Sequence, residues 1–434
     1  MSSTRMPSRV FIITNTNANS VMLETQVCIV GAGPGGAATA LKLSYLGIPC
    51  VLVDKSIFPR DKVCGDAISG KVTTLLNRLD PEIMQRFRAS SIQLGVWGIR
   101  FIAPGRNELR LPFASDYAET DAPSPGYVSR RVDFDNFLIQ EVKRRNNIQF
   151  FENTAIEDFE YQENHWIVKN KSGEFAVRAP LLIVANGAHS AFSRKIAGHE
   201  RELKHHAGGV RAYFKNVRNT DKDNFIELHF LKQLVPGYFW IFPLPGGYAN
   251  VGLGMRSDIV SKKRINLRKK LLEVIDNHPP FRERFEGAEL VGEIVGYGLP
   301  LGSKKRLLSG DGYMLVGDAA HLIDPLTGEG IGNAFYSGFI AAEQAQQCLE
   351  QHNVSAAFMQ AYDVRVQRVL GVEMQLSYRL QKLMAYPLLV DVVTGIIAGN
   401  KRAVDMLTHM YHDLEIRRSL AKPWFWLKML WNKK

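Results

Sequence analysis

The residue types with the most chemistry near the N-terminus are glycines at fixed spacing. Gly31, Gly33 and Gly36, within Gly31-Ala32-Gly33-Pro34-Gly35-Gly36, hold the G-x-G-x-x-G positions between an apolar run, Val27 to Val30, and a helical pattern that starts at Pro34. Where side chains are missing, a pyrophosphate can approach the free N–H groups of a helix start, and the helix dipole favours its negative charge. Asp54 follows Gly31 by 23 residues, at the end of the next apolar run, Cys50 to Val53. A carboxylate there accepts hydrogen bonds from a ribose diol. A glycine turn alone occurs in many α/β proteins; the strand, helix and strand around it, with Asp54, make a dinucleotide site the stronger reading.

Two other groups could act on a substrate. Tyr238, Trp240 and Phe242 recur at every second residue, so in a strand they project from one face. Such a face is an aromatic wall that can line an apolar tunnel and stabilise positive charge developing on a tertiary carbon, or it is ordinary sheet core. Cys64 lies in the loop after the Cys50 to Val53 run. A thiol with the ordinary pKa of about 8.5 is mostly protonated at neutral pH, so it suits proton donation or pocket shaping; the alternative is a buried, inert cysteine.

The elements that must carry these residues follow from periodicity. Val27 to Val30 and Cys50 to Val53 are short, continuous and apolar, as strands of a buried parallel sheet are, and a helix from Pro34 to about Leu46 joins them. Leu181 to Val184 and Tyr313 to Val316 read as further core strands, Asp133 to Arg145 as a helix, and about Gly330 to Leu349 as a long small-residue helix. The stretches from about Ser91 to Leu111 and Ala207 to Met255 alternate aromatic and β-branched residues between glycines, which predicts a second, mostly antiparallel sheet. Beyond about Ser355 the pattern is helical, and the first residues to about Ser20 read as a loose polar tail.

The chain has 434 residues, with 54 Lys+Arg against 43 Asp+Glu, a net charge of +11 that favours anionic partners. The basic residues are spread along the chain instead of clustering with aromatics, which argues against nucleic acid. Cys28, Cys50, Cys64 and Cys348 show neither C-x-x-C nor metal-ligand spacing, so no disulfide framework or metal site is expected and a reducing cytoplasm is the natural compartment. The terminal Lys422-Pro423-Trp424-Phe425-Trp426-Leu427-Lys428-Met429-Leu430-Trp431-Asn432-Lys433-Lys434 combines Trp and Lys as a headgroup-level segment does, which predicts peripheral membrane association; a helix docked on the core is the rival reading. The apolar run Pro387 to Ile397 is too short to span a bilayer and contains Asp391.

A third glycine-rich stretch carries a family resemblance. Gly317-Asp318-Ala319-Ala320-His321 precedes Pro325-Leu326-Thr327-Gly328-Glu329-Gly330-Ile331-Gly332, and with the first fingerprint this is similar, in order and spacing, to the FAD-binding elements of the p-hydroxybenzoate hydroxylase superfamily. The resemblance implies that Asp318 bonds the ribityl or pyrophosphate region of FAD while the backbone around Gly330, Ile331 and Gly332 faces the flavin. His321 is either a ligand contact or a structural neighbour. One departure stands out, because Asn186-Gly187 replaces the usual Asp-Gly pair.

Phe58-Pro59-Arg60-Asp61-Lys62-Val63-Cys64-Gly65-Asp66 resembles the cysteine loop of geranylgeranyl reductases, Tyr238-Phe239-Trp240-Ile241-Phe242-Pro243 matches their Y-x-W-x-F-P element, and Arg130-Arg131-Val132-Asp133-Phe134-Asp135 resembles a helix start near the flavin. This implies Lys55, Arg60, Cys64, Gly65, Asp66, Arg131, Gly317 and Gly328 as further cofactor contacts, and Cys64, Tyr238, Trp240 and Phe242 as the catalytic group. The implied protein is a reductase of isoprenoid double bonds: hydride from the flavin to one alkene carbon, a proton to the other. NAD(P)H or a reduced carrier protein would supply electrons, since Gly252-Leu253-Gly254 is a lone glycine pair inside a strand pattern. The alternatives are an FAD-dependent hydroxylase and a non-catalytic, FAD-containing lipid carrier. A halogenase fits less well, because its W-x-W-x-I-P pattern meets only Trp240 and Pro243.

The expected architecture is α/β. A Rossmann-type FAD domain (22–90, 128–200, 300–350) interleaves with a sheet domain for substrate (91–127, 201–299), after a tail (1–21) and before a helical region (351–434).

Overall fold

Three short runs have no polar residue to offer solvent on either face, and all three are buried at every position: Val27–Val30, Cys50–Val53 and Leu181–Val184. In the computed structural model, which describes residues 11–14, 21–114, 117, 122–400 and 402–405, they form the centre of a parallel sheet. The strand order is 148–151, 50–53, 27–30, 181–184 and 313–315, with 309–310 added antiparallel at the edge. Helix α1 (Pro34–Tyr45) connects the first two strands in sequence and packs on the 20-residue helix Ile331–Glu350. The first glycine loop and the Gly317 turn therefore open at the carboxyl ends of 27–30 and 313–315, the two strands that flank 181–184, where open α/β sheets bind their ligands.

The second sheet has seven strands in the order 289–300, 206–215, 248–256, 238–244, 226–229, 98–102 and 108–112. It is antiparallel except where 226–229 meets 98–102. One face is covered by the amphipathic helix Leu267–Asn277, whose Leu271 and Val274 pack among Phe239, Ile241 and Val251. The other face carries Trp240 and Phe242 together with Ile226 and Leu228. Period-two alternation thus gives Tyr238–Leu244 two apolar sides with different duties: odd residues make core, even residues face inward to the nucleotide domain.

The N-terminal expectation needs correction. Phe11–Thr14 pairs antiparallel with Val21–Glu24, and Val21–Glu24 pairs in parallel with Phe175–Ala179 in a five-stranded sheet. The run 11–14 thus pairs with the nearby strand 21–24, and it is 21–24 that the distant strand 175–179 ties into the sheet. The stretch from Ser91 also divides: Leu94–Val96 joins a small sheet with Ala67–Ile68 and Gly126–Val128, and only Gly98–Ile102 and Glu108–Pro112 enter the seven-stranded sheet.

Among the described residues the C-terminal region is helical, as expected. Ala356–Val366 runs through a π-helical turn, Gln367–Gly371, into Val372–Leu383, and Pro387–Ala398 follows after a bend of 115°. Among the described residues no single helix is long and apolar enough to cross a membrane. The Trp- and Lys-rich segment 422–434 lies outside the described residues.

Candidate active site

The glycine loop is built so tightly that two of its positions admit no side chain. Gly31 has φ of +103°, and a Cβ there would stand 2.5 Å from the Ala185 carbonyl oxygen; a Cβ on Gly36 would stand 1.8 Å from the Gly31 oxygen. Gly33 is different, with open space before it and the Arg60 guanidinium 3.7 Å from where its Cβ would be. No side chain caps the start of α1, so its first N–H groups are left for an acceptor from outside the protein. Beside Gly31, the Asn186 Oδ1 is buried with no hydrogen-bond partner among the described residues.

The predicted contacts around this loop divide into those that face the cavity and those that hold the loop. Asp54 is buried, and its carboxylate accepts from the Ala32 N–H at 2.6 Å and the Ser56 N–H at 2.8 Å, each oxygen keeping a second lone pair. Lys55 is exposed. Arg60 pairs with Asp135 at 2.6 Å, and Arg131 grips the same carboxylate through two N–H groups.

A cavity of about 1220 Å³ runs from Gly33 and Pro34, past Gly317, Asp318, Gly328, Gly330 and Ile331, to the aromatic strand. Asp318 pairs with Lys62 at 3.0 Å, which closes one side of that passage. Gly332 lies in the first turn of the helix Ile331–Glu350, outside the cavity lining, and its N–H donates to Glu329 Oε1 at 3.0 Å. His321 does not line it either. It sits in the left-handed region, stacks edge-on against His199 with centroids 5.2 Å apart, and burial pushes its pKa down to about 3, so it is a neutral structural neighbour.

At the far end Tyr238, Trp240 and Phe242 line the cavity in a row, with neighbouring ring centroids 6.0 and 6.2 Å apart. The Tyr238 hydroxyl donates to the Thr327 carbonyl, tying this wall to the Gly328 turn. Cys64 and Gly65 line the cavity beside these rings; a Cβ on Gly65 would meet Phe242 at 3.1 Å and the Trp240 indole nitrogen at 3.8 Å. Burial pushes the Cys64 thiol up, with Arg131 opposing in part, so the sulfur carries its proton at neutral pH.

Sequence reasoning missed the residue that joins these parts. Asn250, fully buried, accepts from the Trp240 indole N–H at 2.9 Å and donates to the Cys64 carbonyl and to Asp66 Oδ2, both at 2.8 Å. Asp66 is itself fully buried, and takes hydrogen bonds from the Tyr213 hydroxyl at 2.8 Å and the Arg131 N–H at 3.3 Å. Burial raises its carboxyl to about 6, against the pull of the Asn250 and Tyr213 hydrogen bonds. Asp66 therefore supports the Cys64 loop from behind and does not line the cavity. The one local signal was an asparagine at a buried position of an otherwise apolar strand.

Lys71 was missed as well. Its ammonium reaches Asn333 at 2.9 Å, Glu373 at 3.0 Å and Glu329 at 3.1 Å; burial opposes its charge, but the two carboxylates outweigh burial and hold its pKa above the usual value. Among the described residues no group of His, Cys, Asp and Glu could hold a metal ion.

A family model described as the FAD-binding domain matches residues 24–245, half of the chain and all of the glycine loop. The chain belongs to the FAD-binding domain family. It is 29% identical over 348 residues to a digeranylgeranylglycerophospholipid reductase of Thermoplasma acidophilum, covering 79% of this chain and 83% of that one. It is 28% identical over 333 residues to a menaquinone reductase of Mycobacterium tuberculosis, with 75% and 77% covered. Among solved structures, a geranylgeranyl bacteriochlorophyll reductase-like protein of Thermoplasma acidophilum superposes with a TM-score of 0.76 at 23% identity, over 92% of this chain and 99% of that one. A flavin-dependent brominase follows at 0.73 and 20%, with 92% and 99% covered, so the fold is shared with other chemistries.

This FAD-dependent oxidoreductase is thus related to prenyl-lipid reductases. Its own residues suit the cofactor: a cradle in which a Cβ would collide, an uncapped helix start, and the unpartnered Asn186 oxygen at the loop.

Proposed function

We propose that this protein reduces carbon–carbon double bonds of a polyprenyl group carried on a lipid, quinone or diphosphate. The observation that carries the reading is the junction of two surfaces in one cavity, where a glycine-built nucleotide cradle meets a row of three aromatic rings with Cys64 in the same lining. Gly33, Pro34, Gly317, Asp318 and the turn from Gly328 to Ile331 would hold FAD, with Arg60 and Asp54 supporting the loop. When bound, FAD supplies the hydride.

The protein's contribution is placement and a proton. Trp240 and Phe242, continued by Ile226 and Leu228, give the prenyl chain an apolar bed that excludes water, so binding energy along the tail holds one alkene in place. The ring faces lower the cost of positive charge on the more substituted carbon. Cys64, kept protonated by burial, donates to that alkene, and Arg131 is close enough to favour the thiolate that remains until water restores its proton. Electrons would come from NAD(P)H or a reduced carrier protein. The protein would work in the cytoplasm at a membrane surface, where its substrate resides.

The test is product analysis. The FAD-loaded protein is reduced without oxygen and given a geranylgeranyl lipid. Support is a product heavier by one hydrogen pair per reduced bond; an oxygenated product and oxygen uptake in air would replace this reading with a hydroxylase.

A further inference from the structure

Most cations that line the cavity are neutralised. Lys62 pairs with Asp318, Lys71 with Glu329 and Glu373, Arg131 with Asp135, Arg211 with Asp61, and Arg256 with Asp258. Arg78 and Arg368 also line it, and among the described residues neither guanidinium has a hydrogen bond, an ion pair or a ring contact. We propose that Arg78 and Arg368 form a phosphate-binding mouth that selects a prenyl substrate with an anionic phosphoryl headgroup over a neutral one. This rests on the prenyl-reductase reading and names its substrate class.

Both arginines line the cavity and are exposed. On helix α2 (Gly70–Leu79), Lys71, Thr74 and Arg78 share one stripe, and all three line the cavity. Opposite, the π-helical turn Gln367–Gly371 brings Arg368 and Val369 to the lining; such turns recur where a helix must re-aim side chains. The Lys71–Glu373 pair, 3.0 Å long, joins the two elements. Arg368 precedes Glu373 by five residues and Arg78 follows Lys71 by seven, so each stands one to two turns, roughly 7–10 Å, along its helix from that pair. Both are exposed, whereas Trp240 and Phe242 are buried. A tail lying along the rings would then leave its head between two unpaired guanidiniums, whose forked N–H groups match phosphate oxygens in pairs.

The experiment measures binding, not turnover. Geranylgeranyl phosphate and geranylgeraniol have the same chain and differ only in the phosphate, and each is titrated calorimetrically into FAD-loaded protein. The phosphate should bind at least about ten-fold tighter, with an advantage that shrinks as salt rises. In the double variant Arg78→Gln, Arg368→Gln the phosphate should fall to within about two-fold of the alcohol, while alcohol affinity is unchanged. Equal affinities in the wild type, or an advantage that survives in the double variant, would overturn the inference and leave the prenyl reading standing. Failure of both ligands to bind would remove both. Geranylgeranyl diphosphate and digeranylgeranylglyceryl phosphate, titrated in parallel, tell a soluble diphosphate from a lipid headgroup as the source of the phosphate.

Discussion

Replacing Asn250 by leucine keeps the volume and removes every polar contact of the side chain. Asn250 is buried with 0% exposure and serves three partners: the Trp240 indole, the Cys64 carbonyl and Asp66. Asp66 keeps Tyr213 and the Arg131 N–H, so the full cost falls on two groups, the Trp240 N–H and the Cys64 C=O. At about 1–3 kcal/mol for each buried polar group left without a partner, Asn250→Leu should cost about 2–6 kcal/mol. Against a domain stability of roughly 5–15 kcal/mol this is a large fraction, so the unfolding midpoint should shift strongly and the folded fraction should fall. The assay is urea unfolding of FAD-loaded protein, followed by single-turnover reduction on the fraction that stays folded. Turnover should fall while the flavin dissociation constant holds, because the ring wall and the thiol loop lose their registry but the glycine cradle is untouched. A loss under about 1 kcal/mol, with turnover intact, would mean that the network does not position the site.

Other consequences are as direct. Gly36→Ala should abolish FAD retention, since its Cβ would sit 1.8 Å from the Gly31 oxygen; flavin absorbance after gel filtration reads this. Lys71→Met leaves Glu329 and Glu373 without their shared cation and should destabilise the protein by about 3–5 kcal/mol, with partial recovery when Glu329→Gln is added. Asp66 has its carboxyl raised from 3.8 to about 6, so its protonated form favours folding; that contribution, about 3 kcal/mol, is complete below 3.8 and lost as pH rises through 6. Unfolding midpoints of wild type minus Asp66→Asn, followed from acid to neutral pH, should decline across that window. Cys64→Ala should slow turnover without loosening FAD, and would leave the rate unchanged if the thiol is inert.

The parts of the site legible in the sequence are those written locally. The glycine fingerprint, the Gly317-Asp318 turn and the aromatic trio each fall within a few residues, and strand period two sets the three rings on one face without further information. Asn250 reaches Cys64 across 186 positions and Lys62 reaches Asp318 across 256, so neither partnership leaves a trace in any window of the chain. The same limit applies to Val21–Glu24, which pairs with Phe175–Ala179 far along the chain and with the nearby Phe11–Thr14 on its other edge. The Gly332 N–H donates to Glu329, a partnership within the turn that the glycine-rich run does not reveal.

The central claim is that a prenyl alkene lies against the cofactor at the Trp240 and Phe242 wall. Anaerobic mixing of photoreduced, FAD-loaded protein with a geranylgeranyl lipid tests it most directly, with the fully saturated lipid as control. Recovery of oxidised-flavin absorbance with the unsaturated lipid alone, strongly slowed by Trp240→Ala, is the expected result. Flavin that stays reduced with both lipids, or recovers equally with both, would contradict the assignment.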